Sequence, residues 1–369
     1  MTLILEDTLT FEEVIIPGYE KVIKISQKEA GLSAIICIHN SALGPALGGT
    51  RIYPYPTFEA ALNDVMRLAQ GMTYKSALAE CGWGGGKSVI IADPKRKTKE
   101  LLRAFGHAVH RLKGEYICAE DVGSTPDDMQ VISQATPYVV GLPHEKSSGN
   151  PSPFTAWGTF RGIQSVLKKI FGSDSLEERT VALQGLGSVG WELAQLLFWA
   201  GARLIITDID QEKCAKMAKL TGAKVIAPED IYAVECDVFC PCALGGIINE
   251  KVIPHLSCRA IAGAANNQLL KDSDADELLA RGILYAPDFI INAGGLLNVT
   301  QELFEEGYDP CKARNKVHKG IYSQLMLIYD IAEQNKYSTH RAALSLADYR
   351  LKYRIGRRFD PPYFHHAKK

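Results

Sequence analysis

The chain has 369 residues, 46% hydrophobic and 22% charged, which is enough to bury a large core without metal or disulfide staples and too apolar for a disordered chain. With 41 Lys and Arg against 42 Asp and Glu the net charge is −1, so no basic field supports a nucleic-acid partner. The stretch 31–50 carries no full charge but contains His39, Asn40, Pro45 and a glycine pair and is no membrane span; the acidic start shows no targeting pattern, so a cytoplasmic protein is expected.

YEKVIKIS (19–26) and LSAIICIH (32–39) read as strands joined by a hairpin at QKEAG. Leu47-Gly48-Gly49-Thr50-Arg51 reads as a glycine turn. Residues 57–79 carry a helical pattern, with Ala61, Leu62, Val65, Leu68, Ala69 and Met72 on one side, Thr57 as N-cap and Lys75 at the end. Gly84-Gly85-Gly86 feeds the buried strand KSVIIAD (87–93), a helix spans 99–112, and the strand YICAED (116–121) ends on acids. SSGNPSPFT (147–155) is a linker candidate, followed by a helix over 156–171. Six short apolar strands then alternate with crossovers: TVALQ (180–184), RLIIT (203–207), AKVIA (223–227), DVFCP (237–241), RAIAG (259–263) and GILYA (282–286). That alternation predicts a parallel, doubly wound sheet. The expected fold is α/β: a mixed-sheet substrate domain over 1–150, a Rossmann domain over 151–330, and a helical segment over 331–369 packing back on the first domain.

Nine cysteines form no regular framework and read as reduced thiols. Cys236, Cys240 and Cys242 lack the second ligand pair that structural zinc needs, and CDVFC reads as a buried strand. His107 and His110 come without an HExxH, and His365-His366 sits in a charged tail with no specific role expected. No metal is expected.

TVALQ runs into Gly185-Leu186-Gly187-Ser188-Val189-Gly190 and then a helix, with a second strand behind. In that context the first glycine makes the tight turn, the second admits a pyrophosphate, and the third lets helix and strand pack closely. The second strand ends at Asp208, where a carboxylate accepts hydrogen bonds from both ribose hydroxyls of NAD and repels the 2′-phosphate of NADP.

In the first domain three glycines precede Lys87, which heads an apolar strand, and Lys75 lies twelve residues earlier. Desolvation plus the like charge of Lys75 would fit Lys87 for proton transfer near neutral pH. Asp121 ends a neighbouring strand.

PALGGTRIYPY, RLAQGMTYKSALAECGWGGGKSVIIADP, YICAEDVGST, SSGNPSPFTAWG, QGLGSVG, PCALGG, IAGAANNQL and YAPDFIINAGGLLNV closely resemble the glutamate/leucine/phenylalanine/valine dehydrogenases, nearest to the leucine-specific members, over roughly residues 10–350. Cys81 stands where the family has an aliphatic residue. The resemblance implies reversible, NAD-dependent oxidation of an L-amino acid to a 2-oxo acid and ammonium by a homo-oligomer, often an octamer. It implies that Lys75 holds the α-carboxylate, that Lys87 binds the carbonyl or carbinolamine oxygen and moves protons through water, and that Asp121 exchanges protons with the amino group and Lys87. Gly48 and Gly49 would let backbone touch the substrate; Thr155 would fix the carboxamide, and Asn266 and Asn267 would lie near the nicotinamide. Glutamate-specific members carry lysine at the place of Leu47 and serine at that of Val299. The candidate pocket, Leu47, Met72, Ala119, Leu296 and Val299, is apolar, which points to leucine, valine or isoleucine. Leu296 is commonly valine in leucine dehydrogenases, which would tighten the pocket. The alternatives are an aromatic (phenylalanine or tryptophan) dehydrogenase and a dinucleotide-binding regulator without catalysis. The joint presence of Lys75, Lys87 and Asp121 speaks against the regulator.

Overall fold

The computed structural model describes residues 8–143 and 147–367. The chain divides into two compact units: Met1–Asn150 with Val299–Pro310 and Tyr349–Lys369, and Pro151–Asn298 with Cys311–Asp348.

In the first unit the elements run β1 (Thr10–Glu13), β2 (Lys21–Gln27), β3 (Leu32–Asn40), β4 (Ala46–Tyr53), α1 (Phe58–Leu78), β5 (Gly84–Ile91), α2 (Lys99–Arg111), β6 (Tyr116–Glu120) and α3 (Pro126–Ser133). The strands form one sheet in the order β1-β2-β3-β5-β4-β6, antiparallel from β1 to β5 and parallel from β5 to β6. Side chains alternate between its two faces. Ile36, Ile52, Ile90, Tyr116 and Cys118 pack with Phe105 and Val109 of α2 and Met129 and Ile132 of α3. On the opposite face Val22, Ile35, Cys37 and Val89 meet Ala61, Val65 and Ala69 of α1. Thr57 caps α1, accepting the Ala60 N–H at 3.1 Å.

The first glycine run is strand, not turn, for Leu47–Arg51 lies inside β4; the second, read as leading into the strand at Lys87, itself opens β5 at Gly84. Glycine is a poor strand former, but close packing overrides the propensity here. A Cβ on Gly48 would lie 1.8 Å from the Gly86 carbonyl oxygen, and one on Gly85 would lie 2.1 Å from the Thr73 nitrogen of α1.

The second unit contains α4 (Ser152–Phe171), β7 (Thr180–Gln184), α5 (Ser188–Trp199), β8 (Arg203–Thr207), α6 (Gln211–Thr221), β9 (Lys224–Val225), β10 (Cys236–Pro241), β11 (Cys258–Ile261), α7 (Asp274–Ala280), β12 (Leu284–Tyr285) and α8 (Asp288–Ile291). Its sheet is parallel throughout, in the order β12-β11-β10-β7-β8-β9, so the winding reverses beside β7, where a doubly wound sheet binds its ligand. β9 and β12 are two residues each, shorter than the apolar runs around them. α4 starts at Ser152, inside the stretch read as a linker, because Pro151 and Pro153 suit a helix start. α9 (Gly294–Val299), α10 (Pro310–Asn335) and α11 (Thr339–Tyr353) complete the chain, and each includes residues of both units.

Residues 331–369 do not stay together: those up to Asp348 count with the second unit and Tyr349–Lys369 with the first. The tail beyond α11 is pinned on the first unit. The Arg358 guanidinium lies 4.5 Å from the Trp83 ring centre and donates to the Leu303 carbonyl at 2.7 Å, and Phe364 meets Tyr138 edge-on. His365 hydrogen-bonds the Phe304 carbonyl at 2.9 Å, so it has a structural contact that the charged tail sequence did not reveal. All nine cysteines are free thiols. Among the described residues no helix is long and apolar enough to cross a membrane, and no group of three or more His, Cys, Asp or Glu is placed to hold a metal ion.

Candidate active site

Strand alternation sorts the first unit's candidates. Pairing sets Lys87 beside Cys37, Arg51 beside Val89 and Gly49 beside Ala119. Cys37 and Val89 belong to the α1 face, so Leu47, Gly49 and Arg51 of β4, Lys87 of β5 and Ala119 of β6 share that face. Gly48 has the opposite parity and faces Gly86. Leu47 is 1% exposed. α1 covers this face and carries the half-buried Met72 and Lys75, the latter in its last turn.

Asp121, one residue past β6, is the hub of the face. Lys87 Nζ donates to its Oδ1 at 2.8 Å, and Arg51 Nε donates to its Oδ2 at 3.0 Å. Lys87 is 5% exposed. Its nearest charge is thus the opposite charge of Asp121, a partner that the expected pairing with Lys75 left out. Arg51 also donates through Nη1 to Asp64 Oδ2 of α1 at 2.8 Å, and Tyr55 donates its hydroxyl to the same oxygen. Ser124 accepts the Asp121 N–H at 2.8 Å and donates to the Thr50 carbonyl at 2.8 Å, fixing the strand end. Gly49 makes room for the ion pair, since a Cβ there would lie 2.8 Å from Asp121 Cβ and 3.0 Å from Lys87 Nζ.

Burial alone would raise the Asp121 carboxyl, but Lys87 and Arg51 overcome it and hold it at about 2. Burial, with the Asp121 charge beside it, pushes Glu120 up to about 7. The two neighbours therefore affect stability in opposite ways. Between the usual 4.5 and about 7 the folded state keeps a proton on Glu120 that the unfolded chain has lost, so stability falls as pH rises through that window. Glu120→Gln should flatten the decline of Tm over that range. Wild-type and variant curves that run parallel across it would contradict the assignment.

In the second unit Gly185 turns from β7 with φ +100°, which side chains rarely adopt. A Cβ on Gly190 would lie 2.0 Å from the Gly185 oxygen, whereas one on Gly187 would meet nothing within 4 Å. No side chain caps α5, so the N–H groups of Ser188, Val189 and Gly190 in its first turn have no side-chain acceptor. A tight turn, open space and uncapped donors together fit a pyrophosphate. Asp208 Oδ2 accepts the Leu186 N–H at 2.5 Å and its Oδ1 the Asp210 N–H at 2.8 Å. Each oxygen keeps acceptor capacity, so the carboxylate braces the loop and can still take ribose hydroxyls.

Thr155 sits in the first turn of α4 and donates to the Pro151 carbonyl at 3.1 Å. The start of α9 packs directly on that turn: a Cβ on Gly295 would lie 2.8 Å from Thr155 Oγ1, and one on Gly294 would lie 2.0 Å from the Phe154 oxygen. α9 carries Leu296 and Val299, 7% and 8% exposed. Asn267 is left-handed at φ +51° and donates its N–H to Asp288 Oδ2 at 2.7 Å, while the exposed Asn266 accepts from Asn292 Nδ2 at 2.7 Å.

The sequence reading missed Arg51, Asp64 and Tyr55. The signal was available: once 46–53 is a strand, Arg51 falls two and four residues from Gly49 and Leu47, on their face.

The dimerisation-domain model of the Glu/Leu/Phe/Val dehydrogenases matches residues 20–138, and the model of Glutamate/Leucine/Phenylalanine/Valine dehydrogenase matches residues 206–353. The chain belongs to this dehydrogenase family. It is 50% identical over 335 residues to the leucine dehydrogenase of Geobacillus stearothermophilus, with 90% of each chain covered. It is also 45% identical to the phenylalanine dehydrogenase of Caldalkalibacillus thermarum, with 94% of each covered. The crystal structure of L-tryptophan dehydrogenase from Nostoc punctiforme superposes with a TM-score of 0.78 at 45% identity, covering 91% of this chain and 96% of that one. The protein is an amino-acid dehydrogenase. In this dehydrogenase Cys81 is 5% exposed with Sγ 3.5 Å from the Ser76 carbonyl, so the small apolar thiol packs where the family pattern has an aliphatic residue.

Proposed function

We propose that this amino-acid dehydrogenase converts a branched-chain aliphatic L-amino acid, water and NAD reversibly to the 2-oxo acid, ammonium, NADH and a proton. The observation that carries the reading is the Lys87–Asp121 pair at 2.8 Å on the sheet face that also bears Leu47 and Ala119. When bound, NAD accepts the hydride from the substrate α-carbon. Lys75 pairs with the α-carboxylate. Lys87 binds the oxygen that becomes the 2-oxo group and passes protons through water, and Asp121 exchanges protons with the amino group and with Lys87. Leu47, Met72, Ala119, Leu296 and Val299 offer no partner to a charged side chain, which disfavours glutamate. Gly185 to Gly190 and Asp208 hold the dinucleotide, with Thr155, Asn266 and Asn267 on its nicotinamide end. The similarity to L-tryptophan dehydrogenase keeps an aromatic substrate as the second reading. The match to a dimerisation-domain model supports assembly as a homo-oligomer, for which the sequence resemblance implies an octamer.

The coenzyme assignment is tested at Asp208. The wild type should strongly prefer NAD. Asp208→Ser should lose affinity for NAD and raise the ratio of NADP to NAD kcat/KM by ~10-fold or more, because the repulsion and the ribose acceptor both disappear. A wild type that uses both coenzymes equally would overturn the assignment.

A further inference from the structure

We infer that Arg51 is a positioning residue for amino-acid oxidation: its guanidinium, anchored to Asp64, grips one oxygen of the Asp121 carboxylate so that the other oxygen is presented to Lys87. The inference rests on Lys87 and Asp121 being the proton-handling pair.

The geometry makes the grip specific. One guanidinium donates through Nε to Asp121 at 3.0 Å and through Nη1 to Asp64 at 2.8 Å, so its plane is fixed from both sides. Asp64 is itself held by the Tyr55 hydroxyl. The Arg51, Asp64 and Asp121 side chains are 19%, 29% and 17% exposed, too enclosed for water to replace the fork freely.

The two cations on Asp121 are chemically unequal. An ammonium can give up a proton and take it back, whereas a guanidinium stays charged throughout the working pH range. Arg51 therefore stabilises the carboxylate without competing for its proton, and proton exchange runs among Lys87, Asp121, the substrate and water. Among the described residues, the charged and titratable groups that act on Asp121 or on its partner Arg51 include Lys87 on β5, Arg51 on β4, Tyr116 and Glu120 on β6, and Asp64 on α1, the helix that covers this face and also carries Lys75. Lys87 and Arg51 both hydrogen-bond to Asp121 and hold its carboxyl down. With Arg51 gone, burial acts against one cation instead of two, and the carboxyl rises.

The experiment uses full-length Arg51→Ala with leucine and NAD. Turnover should fall by ~10²-fold, and the variant-to-wild-type ratio of kcat/KM should drop further toward acid pH, because Asp121 without Arg51 takes up its proton at higher pH than in the wild type. Millimolar guanidinium should restore turnover at least ~10-fold and saturably, by refilling the place between Asp64 and Asp121. NADH binding, read by fluorescence titration, should not change. A purely structural Arg51 would lower Tm without bending the pH ratio and without rescue, and that result overturns the inference. Should Arg51→Ala not fold, Asp64→Asn keeps the guanidinium but removes its anchor: a smaller, acid-side loss supports the inference, and an unchanged pH profile overturns it. Lys87→Ala separates the two ideas. If it keeps its turnover, the proton-pair reading fails; if it is inactive while Arg51→Ala behaves as wild type, only the role of Arg51 fails.

Discussion

Lys87→Ala is expected to lower turnover by ~10²-fold or more while NADH affinity stays within about twofold, since the lysine is assigned to proton movement in the transition state. Lys87 is 5% exposed and its ammonium sits 2.8 Å from Asp121 Oδ1, so truncation removes both the donor to the reacting oxygen and the partner that exchanges protons with the carboxylate. Asp121 keeps Arg51, which limits the cost of the abandoned charge and favours a folded variant. The residues proposed to hold the dinucleotide, Gly185 to Gly190 and Asp208, belong to the other unit. Stopped-flow turnover with leucine, beside a fluorescence titration of NADH, checks it. A folded Lys87→Ala protein with near-normal kcat would remove Lys87 from the mechanism.

Leu47→Lys is expected to depress kcat/KM for leucine and valine by ~10²-fold or more, because it sets an unpaired ammonium among apolar groups. Leu47 is 1% exposed and shares its sheet face with Gly49 and Lys87, so the new charge cannot reach open water without disturbing β4. Tm should fall as well. The ratio of glutamate to leucine activity should rise, since a γ-carboxylate can pair with the lysine. The absolute glutamate rate should stay low, because Val299, proposed to line the same pocket, would supply no second polar contact. Kinetics with leucine, valine and glutamate test this, and an unchanged leucine kcat/KM in a folded variant would take residue 47 out of the side-chain pocket.

Local pattern made the second unit readable. Short apolar strands alternating with helices predict a parallel sheet, and the glycine spacing after TVALQ needs only backbone geometry, which φ +100° at Gly185 and the 2.0 Å approach at Gly190 express. The first unit was harder, because its glycines answer to tertiary contacts. Gly48 reads as a turn residue in isolation and Gly85 as a lead-in to the next strand, and the nearness of Gly86 and Thr73 explains why both are strand. The same error hid Arg51, since a turn gives no parity and so no shared face with Lys87. Asp64 lies on α1, 57 residues from Asp121 in sequence, and no spacing rule links them. The tail was opaque for the same reason: Arg358 finds Trp83 and Leu303 across long sequence separations.

The most direct test of a branched-chain aliphatic substrate is a single panel on the wild-type enzyme. Initial rates of NAD reduction are followed by nicotinamide absorbance with leucine, isoleucine, valine, phenylalanine, tryptophan and glutamate, each as kcat/KM. One of the three branched aliphatic amino acids should stand highest, with glutamate at least ~10²-fold below it, because its side-chain carboxylate finds no partner beside Leu47 and Val299. Phenylalanine or tryptophan at the head of the panel would contradict the assignment and give the aromatic reading its place.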